Sequence, residues 1–185
     1  MTVLRSSVDT ASDDHRSNRE VLLEKLAAVE AEHRKAVGGG GPKYVDRHRQ
    51  RGKMLIRERI EMLIDEDSPF LELSALAGWG SEFPVGASAV TGIGVVEGVE
   101  CLIGGSDPTI KGGATNPWSL RKVLRANEIA RQNRLPMINI TESGGADLPT
   151  QKEIFIPGGA MFRDLTRLSA AGIPVISLVF GNSTA

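Results

Sequence analysis

The chain has 185 residues, 41% hydrophobic and 24% charged, which is enough apolar material for one large domain or two small ones and excludes wholesale disorder. Its 22 basic and 23 acidic side chains leave a formal charge of −1, so nucleic-acid binding by bulk electrostatics is excluded. One cysteine, Cys101, rules out a disulfide framework and a cysteine-based zinc cluster, fits a reducing compartment and leaves no metal site expected.

Residues 1–16 are polar, carry Asp9, Asp13 and Asp14, and lack an apolar h-region. They read as a disordered lead rather than a signal peptide, and a cytoplasmic location is expected. A helix is expected from Ser17, where Glu20 three residues on completes a capping box and Val21, Leu22, Leu26 and Val29 share one face. His33, Arg34 and Lys35 suit the negative end of its dipole. Gly38 to Gly41 stop it, and because Pro42-Lys43-Tyr44 follows rather than the Gly-Lys-Ser/Thr of a phosphate loop, they read as a flexible hinge. Residues 17–46 are thus a helix with a Gly-rich hinge.

A basic segment, 47–59, leads into a short helix over 57–64 with Ile60, Leu63 and Ile64 as its apolar face. Residues 70–73 read as a strand, and 89–96 with 99–103 form a hairpin about Glu97-Gly98. A helix follows over 117–133 with Asn116 as N-cap and Pro117 at its first position, then a strand at 137–141, a helix at 160–170 and a strand at 174–180. This alternation predicts an α/β fold with parallel pairing. The apolar run from Val175 to Phe180 predicts a strand covered on both faces. No stretch approaches the roughly 18 to 20 apolar residues of a membrane span. The chain stops after that strand, where a crossover helix should begin, so a fragment is expected.

Glycine, 21 of 185 residues or about 11% against the usual ~7%, concentrates in the loops. Ser143-Gly144-Gly145-Ala146, after the strand at 137–141, would bare main-chain N–H groups where α/β proteins place ligands, and two such donors can stabilise a developing oxyanion. A turn that needs glycine only for its backbone angles fits the same residues. Lys111-Gly112-Gly113 reads either as a loop approaching a polar ligand, with Lys111 as cation, or as a solvated turn. Arg121, Lys122, Arg125, Arg131 and Arg134 read as a phosphate-binding strip or as a solvated face. Cys101 reads as a packed small hydrophobe. Gly181-Asn182-Ser183-Thr184-Ala185 has the G-x-S-x-A spacing of a nucleophile elbow, but the three histidines, His15, His33 and His48, all precede the sheet and supply no triad base in the expected order.

The ordered series Arg51-Gly52-Lys53-Met54-Leu55-Ile56-Arg57-Glu58-Arg59-Ile60, Ser68-Pro69-Phe70-Leu71-Glu72-Leu73, Val90-Thr91-Gly92-Ile93-Gly94, Lys111-Gly112-Gly113, Arg125-Ala126-Asn127-Glu128-Ile129-Ala130 and Ser143-Gly144-Gly145-Ala146 resembles the β subunit (carboxyltransferase component) of biotin-dependent acyl-CoA carboxylases. The likeness covers residues 47–185 and is nearest to the methylcrotonoyl-CoA branch. It departs at Glu142, where the family usually has Asp, and in length, since only part of the first of two crotonase-like halves is present. The resemblance implies a crotonase-like (ClpP/crotonase) carboxyltransferase N-terminal domain, incomplete. Its activity would move a carboxyl group from carboxybiotin to a short, branched or unsaturated acyl-CoA. It implies biotin carried on a partner rather than on this chain, acyl-CoA as substrate, and a carboxybiotin site beyond Ala185. Its partners would be a biotin carboxylase/biotin carrier α subunit and further β subunits in a homo-oligomer, with no nucleic acid and no membrane. By position, Gly144 and Gly145 would be the catalytic oxyanion donors, and Lys111, Gly112, Gly113, Ser143 and Ala146 would bind substrate. The 185 residues alone would be inactive; the alternative is an inactive fragment or an acyl-CoA-binding or assembly module.

Overall fold

The computed structural model describes residues 6–184, so residues 1–5 of the expected lead and Ala185 of the G-x-S-x-A run lie outside it. Helix α1 (Asp13–Val37) starts earlier than expected, because Ser12 is the cap: its hydroxyl accepts from the His15 amide at 3.2 Å. The Val21, Leu22, Leu26 and Val29 stripe is exposed along α1, and Ala36 at its end is the residue it buries. The glycines that follow are no loose hinge. The Gly40 amide donates to Thr109 Oγ1 at 2.9 Å, and a Cβ on Gly40 would stand 2.0 Å from the Thr109 carbonyl oxygen, so this segment is packed on the loop after the central hairpin. Pro42 then opens α2 (Pro42–Gln50), which spans the end of the expected hinge region and the start of the basic segment, and α3 (Ile56–Glu61) follows.

Five strands, β1 (Leu71–Leu73), β2 (Ala89–Val96), β3 (Val99–Ser106), β4 (Met137–Ser143) and β5 (Val175–Ser183), form one sheet in sequence order. β1 pairs antiparallel with β2, and β2 with β3 about Glu97-Gly98, whose positive φ values of 50° and 75° make the tight turn; β3, β4 and β5 pair parallel through helical crossovers. The register sets Thr91, Gly104, Asn139 and Ser177 in one row across four strands. Helix α4 (Pro117–Asn133) is capped as the sequence predicts: Asn116 Oδ1 accepts from the Trp118 and Ser119 amides, both at 2.9 Å, and Ser119 Oγ accepts from the Asn116 amide at 2.8 Å. Helix α5 (Gln151–Ala170) begins well before residue 160 and runs through Pro157 and two glycines. Those breakers lie on the exposed side, where losing one hydrogen bond is tolerated.

Alternation along the strands sorts the core into two layers. Ile56 and Ile60 of α3 pack with Val90, Cys101, Ile103, Ile138 and Ile140 on one face, while Leu102, Ala126, Ala130, Met137, Leu168 and Ile173 join α4 and α5 to the other. Cys101 is the packed hydrophobe expected, its thiol pushed up by burial and then by Asp65. β5 corrects the expectation of a strand covered on both faces: Val179 and Phe180 are exposed, and so are Phe155, Ile156 and Phe162 of α5. No helix among the described residues is long and apolar enough to cross a membrane.

An ionic knot ties the N-terminal helices to this body. Arg57 donates to both carboxylate oxygens of Glu72, at 3.2 and 2.7 Å, and to the Ala36 carbonyl at 3.2 Å. Lys122, read in the sequence as part of a basic strip, is instead buried; its Nζ donates to the Ala89 carbonyl at 2.8 Å and lies 4.0 Å from Glu72. Burial lowers the Lys122 pKa to about 8, against the pull of Glu72 and with the push of Arg57. A lysine whose folded pKa is depressed binds its proton less tightly than the unfolded chain does, so its contribution to stability rises with pH between about 8 and the ordinary 10.5. Any stability advantage of Lys122→Met over wild type should therefore shrink by up to about 3 kcal/mol across that window, read from urea midpoints. A pH-independent difference would contradict a charged, buried Lys122.

Candidate acyl-binding site

The site is built where β3 and β4 end. Ser106, the last residue of β3, accepts from the Glu142 amide at 3.0 Å through its hydroxyl and donates to the Glu142 carbonyl at 2.9 Å. From these two ends the chain leaves in two loops that the sequence presents as separate features. The structure joins them. Gly144 donates its amide to the Gly112 carbonyl at 2.9 Å, Thr115 to the Gly145 carbonyl at 2.7 Å and Asp147 to the Thr115 carbonyl at 2.8 Å. Ser143 Oγ donates to the Gly113 carbonyl at 2.9 Å and accepts from the Gly145 amide at 3.1 Å, and Lys111 Nζ reaches Asp147 Oδ1 at 3.3 Å.

This stitching bears on the expectation that Gly144 and Gly145 are oxyanion donors. Both amides are used up inside the loop pair, one by Gly112 and one by Ser143. Gly145 is needed for its φ of 87°, and Gly113 for its φ of 74° and for closeness: a Cβ there would stand 2.4 Å from the Glu142 carbonyl oxygen. Gly112 and Gly113 form a single 3-10 turn with Lys111, whose side chain is mostly exposed.

Two cavities are lined by successive residues of this turn. One, of about 280 Å³, runs between the sheet and helices α4 and α5, with Gly113, Ser106 and Ser143 at one end and Leu102 and Met137 at the other. The second, of about 630 Å³, is a groove between the N-terminal helices and the loop, lined by Tyr44, Arg47, Arg51, Lys111, Gly112 and the packed glycines. Arg47 and Arg51 have no carboxylate partner among the described residues. His48 also lines the groove, but its ring nitrogen is 3.1 Å from the Met54 carbonyl, so it is committed to holding the turn after α2. On α4, Arg125 is paired with Glu128 at 2.6 Å, and just past its end Arg134 donates to the Ala171 carbonyl at 3.1 Å, which fits a solvated face better than a phosphate strip.

Beneath the loops lies a group that the sequence marks as a departure from the family pattern but not as part of the site. The Glu142 carboxylate, 9% exposed, takes a hydrogen bond from Lys53 and another from Arg59 at 2.8 Å. Arg59 also lies over the Phe180 ring, 4.8 Å from its centre. Burial alone would raise the Glu142 pKa, but the bonds and charges of Lys53 and Arg59 hold it below the ordinary 4.5. The signal available in the sequence is the basic run 47–59, which supplies both Lys53 and Arg59. Ser183, the elbow candidate, continues β5 opposite Ser143 instead of starting a sharp turn. Among the described residues no three acidic, histidine or cysteine side chains are placed to hold a metal.

Residues 47–185 match the carboxyl transferase domain family. The chain is 65% identical over 183 residues to a probable biotin-dependent acyl-coenzyme A carboxylase beta2 subunit of Mycobacterium tuberculosis, covering 99% of this chain and 35% of that one. It is 44% identical over 189 residues to a probable mitochondrial methylcrotonoyl-CoA carboxylase beta chain of Drosophila melanogaster, covering 99% of this chain and 33% of that one. Among solved structures, the β subunit of geranyl-CoA carboxylase from P. aeruginosa superposes with a TM-score of 0.88 at 38% identity, over 95% of this chain and 34% of that one. The fold is therefore the crotonase-like one of carboxyltransferases, and the chain spans about a third of the length of the curated relatives it matches.

Breaking a buried ion pair by removing one partner typically costs about 3–5 kcal/mol. Glu142→Gln should lower the unfolding free energy by about 3 kcal/mol at neutral pH, since it strands Arg59, whose side chain is 8% exposed. A depressed carboxyl pKa gives stability that is present above 4.5 and lost as pH falls through the folded value, so the gap between variant and wild type should close in acid. Urea midpoints measured at neutral pH and well below 4.5 check this; a gap independent of pH would contradict it.

Proposed function

The chain belongs to the carboxyl transferase domain family, and on that premise we propose that it is the acyl-CoA-binding part of the carboxyltransferase component of a biotin-dependent acyl-CoA carboxylase. One observation carries the reading: Lys111 and Gly112 line the basic groove while their neighbour Gly113 lines the cavity under α4. An acyl-CoA is divided in the same way, with phosphates at one end, an acyl chain at the other and the thioester between.

In this arrangement Arg47, Arg51 and Lys111 take the anionic nucleotide end, where exposed guanidinium groups without carboxylate partners pair with phosphate. The turn at residues 111–113 and the Ser143 to Ala146 segment hold the thioester at the mouth of the cavity. Gly144 and Gly145 serve by shaping the loop pair, because their amides are committed within it. Asp147 keeps the Lys111 ammonium at the boundary between the two compartments. The acyl chain, branched or unsaturated, enters the cavity between sheet and helices. Carboxybiotin, carried on a partner, would supply both the carboxyl group and the base for the substrate proton. That division of labour suits a loop pair without histidine, whose task is to bind, orient and exclude water.

The uncovered apolar residues of β5 and α5 support a place for this chain inside a larger body, with a biotin-bearing partner subunit and further copies of its own kind. The test is steady-state carboxylation by the full-length subunit assembled with that partner. The double substitution Arg47→Glu and Arg51→Glu should raise KM for acyl-CoA about tenfold or more while kcat changes by less than about twofold, the mark of lost ground-state binding. An unchanged KM would contradict the assignment of the groove.

A further inference from the structure

The basic groove is not lined by charge alone. Tyr44, the one tyrosine of the chain, stands in it with 49% of its surface exposed. Arg47 and Arg51 follow it three and seven residues on, so the ring and the two guanidinium groups share one side of α2. The ring is anchored at its root and half open to the groove. A Cβ on Gly40 would stand 2.0 Å from the Thr109 carbonyl oxygen and 3.3 Å from the Tyr44 Cβ, and one on Gly41, where φ is 86°, would meet nothing within 4 Å. Bare main chain therefore borders the tyrosine, and the Gly40 to Thr109 bond fixes that main chain. Lys43 Nζ lies 5.9 Å from the ring centre, at the outer limit of a cation–π contact, so it adds positive charge here without covering the ring.

An exposed aromatic ring beside guanidinium groups without carboxylate partners suits a guest with two chemistries. Phosphate alone is met by Arg47, Arg51 and Lys111 and gains nothing from a phenol. An aliphatic chain would gain from the ring but leave three cations without a counter-charge. A flat heteroaromatic ring joined to phosphates uses both parts of the groove. Its π-face stacks on the tyrosine while its phosphates pair with the arginines, the combination by which aromatic side chains and basic grooves hold nucleotides. Pro84 and Pro108, which also line the groove, offer such a ring further apolar surface without an N–H to leave unpaired.

Building on the acyl-CoA reading, we propose that Tyr44 is the platform on which the adenine of the acyl-CoA stacks, so that the groove recognises the base of the nucleotide end as well as its phosphates. The contact lies far from the thioester and is the same before and during reaction. It therefore strengthens binding of the ground state and the transition state equally, and its loss appears in KM and not in kcat. Removing an aromatic platform of this kind weakens binding by about tenfold or more.

The test uses the full-length subunit assembled with its biotin-bearing partner and one acyl group presented in two forms, as the acyl-CoA and as the acyl-phosphopantetheine thioester, which lacks the nucleotide. Tyr44→Ala should raise KM for the acyl-CoA about tenfold with kcat within about twofold, and should leave KM for the acyl-phosphopantetheine where it was. Tyr44→Phe, which keeps the ring face, should restore most of the lost affinity. If Tyr44→Ala leaves KM for the acyl-CoA unmoved while Arg47→Glu with Arg51→Glu raises it, the base platform is overturned and the groove assignment stands. An effect of Tyr44→Ala equal on the two substrates would also overturn it, because the ring would then be supporting the groove and not the base. If neither variant moves KM, the acyl-CoA reading of the groove fails, and this proposal with it.

Discussion

The doubly paired carboxylate of Glu142 is the constraint on which the site depends. Its main chain is locked to Ser106 from the neighbouring strand, and its carbonyl oxygen leaves room only for a glycine at position 113. Its side chain reaches Lys53 and Arg59 and fills the space that a Cβ on Gly181 would need, at 2.8 Å. One residue therefore sets the spacing of α3, the ends of three strands and the turn at residues 111–113. Two cations hold a charge that burial alone would disfavour, which makes the arrangement rigid and sensitive to the loss of any member.

Rigidity at the strand ends matters because the two compartments differ in chemistry and are separated by a single turn. On one side lie exposed guanidinium groups and on the other a cavity without ionisable lining. A ligand with a charged end and an apolar end is placed by this contrast without a large contact surface, and its central atoms fall on the loop pair. The packed glycines before α2 contribute here as well. Gly40 sits against Thr109, so the groove wall formed by α2 is fixed to the loop that carries Lys111.

Much of the fold is legible in the residues. Asn116 and Pro117 mark the start of α4, Glu97-Gly98 marks the hairpin, and the parallel strands follow from their apolar runs. Local chemistry decides all three. What the sequence hides is decided by distant partners. The Gly38 to Gly41 run is indistinguishable from a hinge until Thr109 is seen against it, and α5 runs through Pro157 because its breakers face solvent. Lys122 looks like one more surface cation, yet Glu72 and the Ala89 carbonyl hold it inside. The same limit explains the site. Lys111 to Gly113 and Ser143 to Ala146 are visible as glycine-rich loops, but the Gly144 amide looks free only while the other loop is out of view, and the Gly145 amide only until the Ser143 hydroxyl is seen turned back onto it. The apolar run of β5 is the reverse case: the sequence predicts a strand covered on both faces, and among the described residues most of it, Leu178 apart, stays exposed.

The most direct test of a ligand lying across the turn at residues 111–113 is the structure of the full-length subunit bound to a non-hydrolysable thioether analogue of a branched acyl-CoA. The phosphates should lie beside Arg47 and Arg51, the sulfur at the Gly113 and Ser143 loop pair, and the chain under α4. Phosphates bound away from the groove, with the cavity under α4 closed or filled by side chains, would contradict the account.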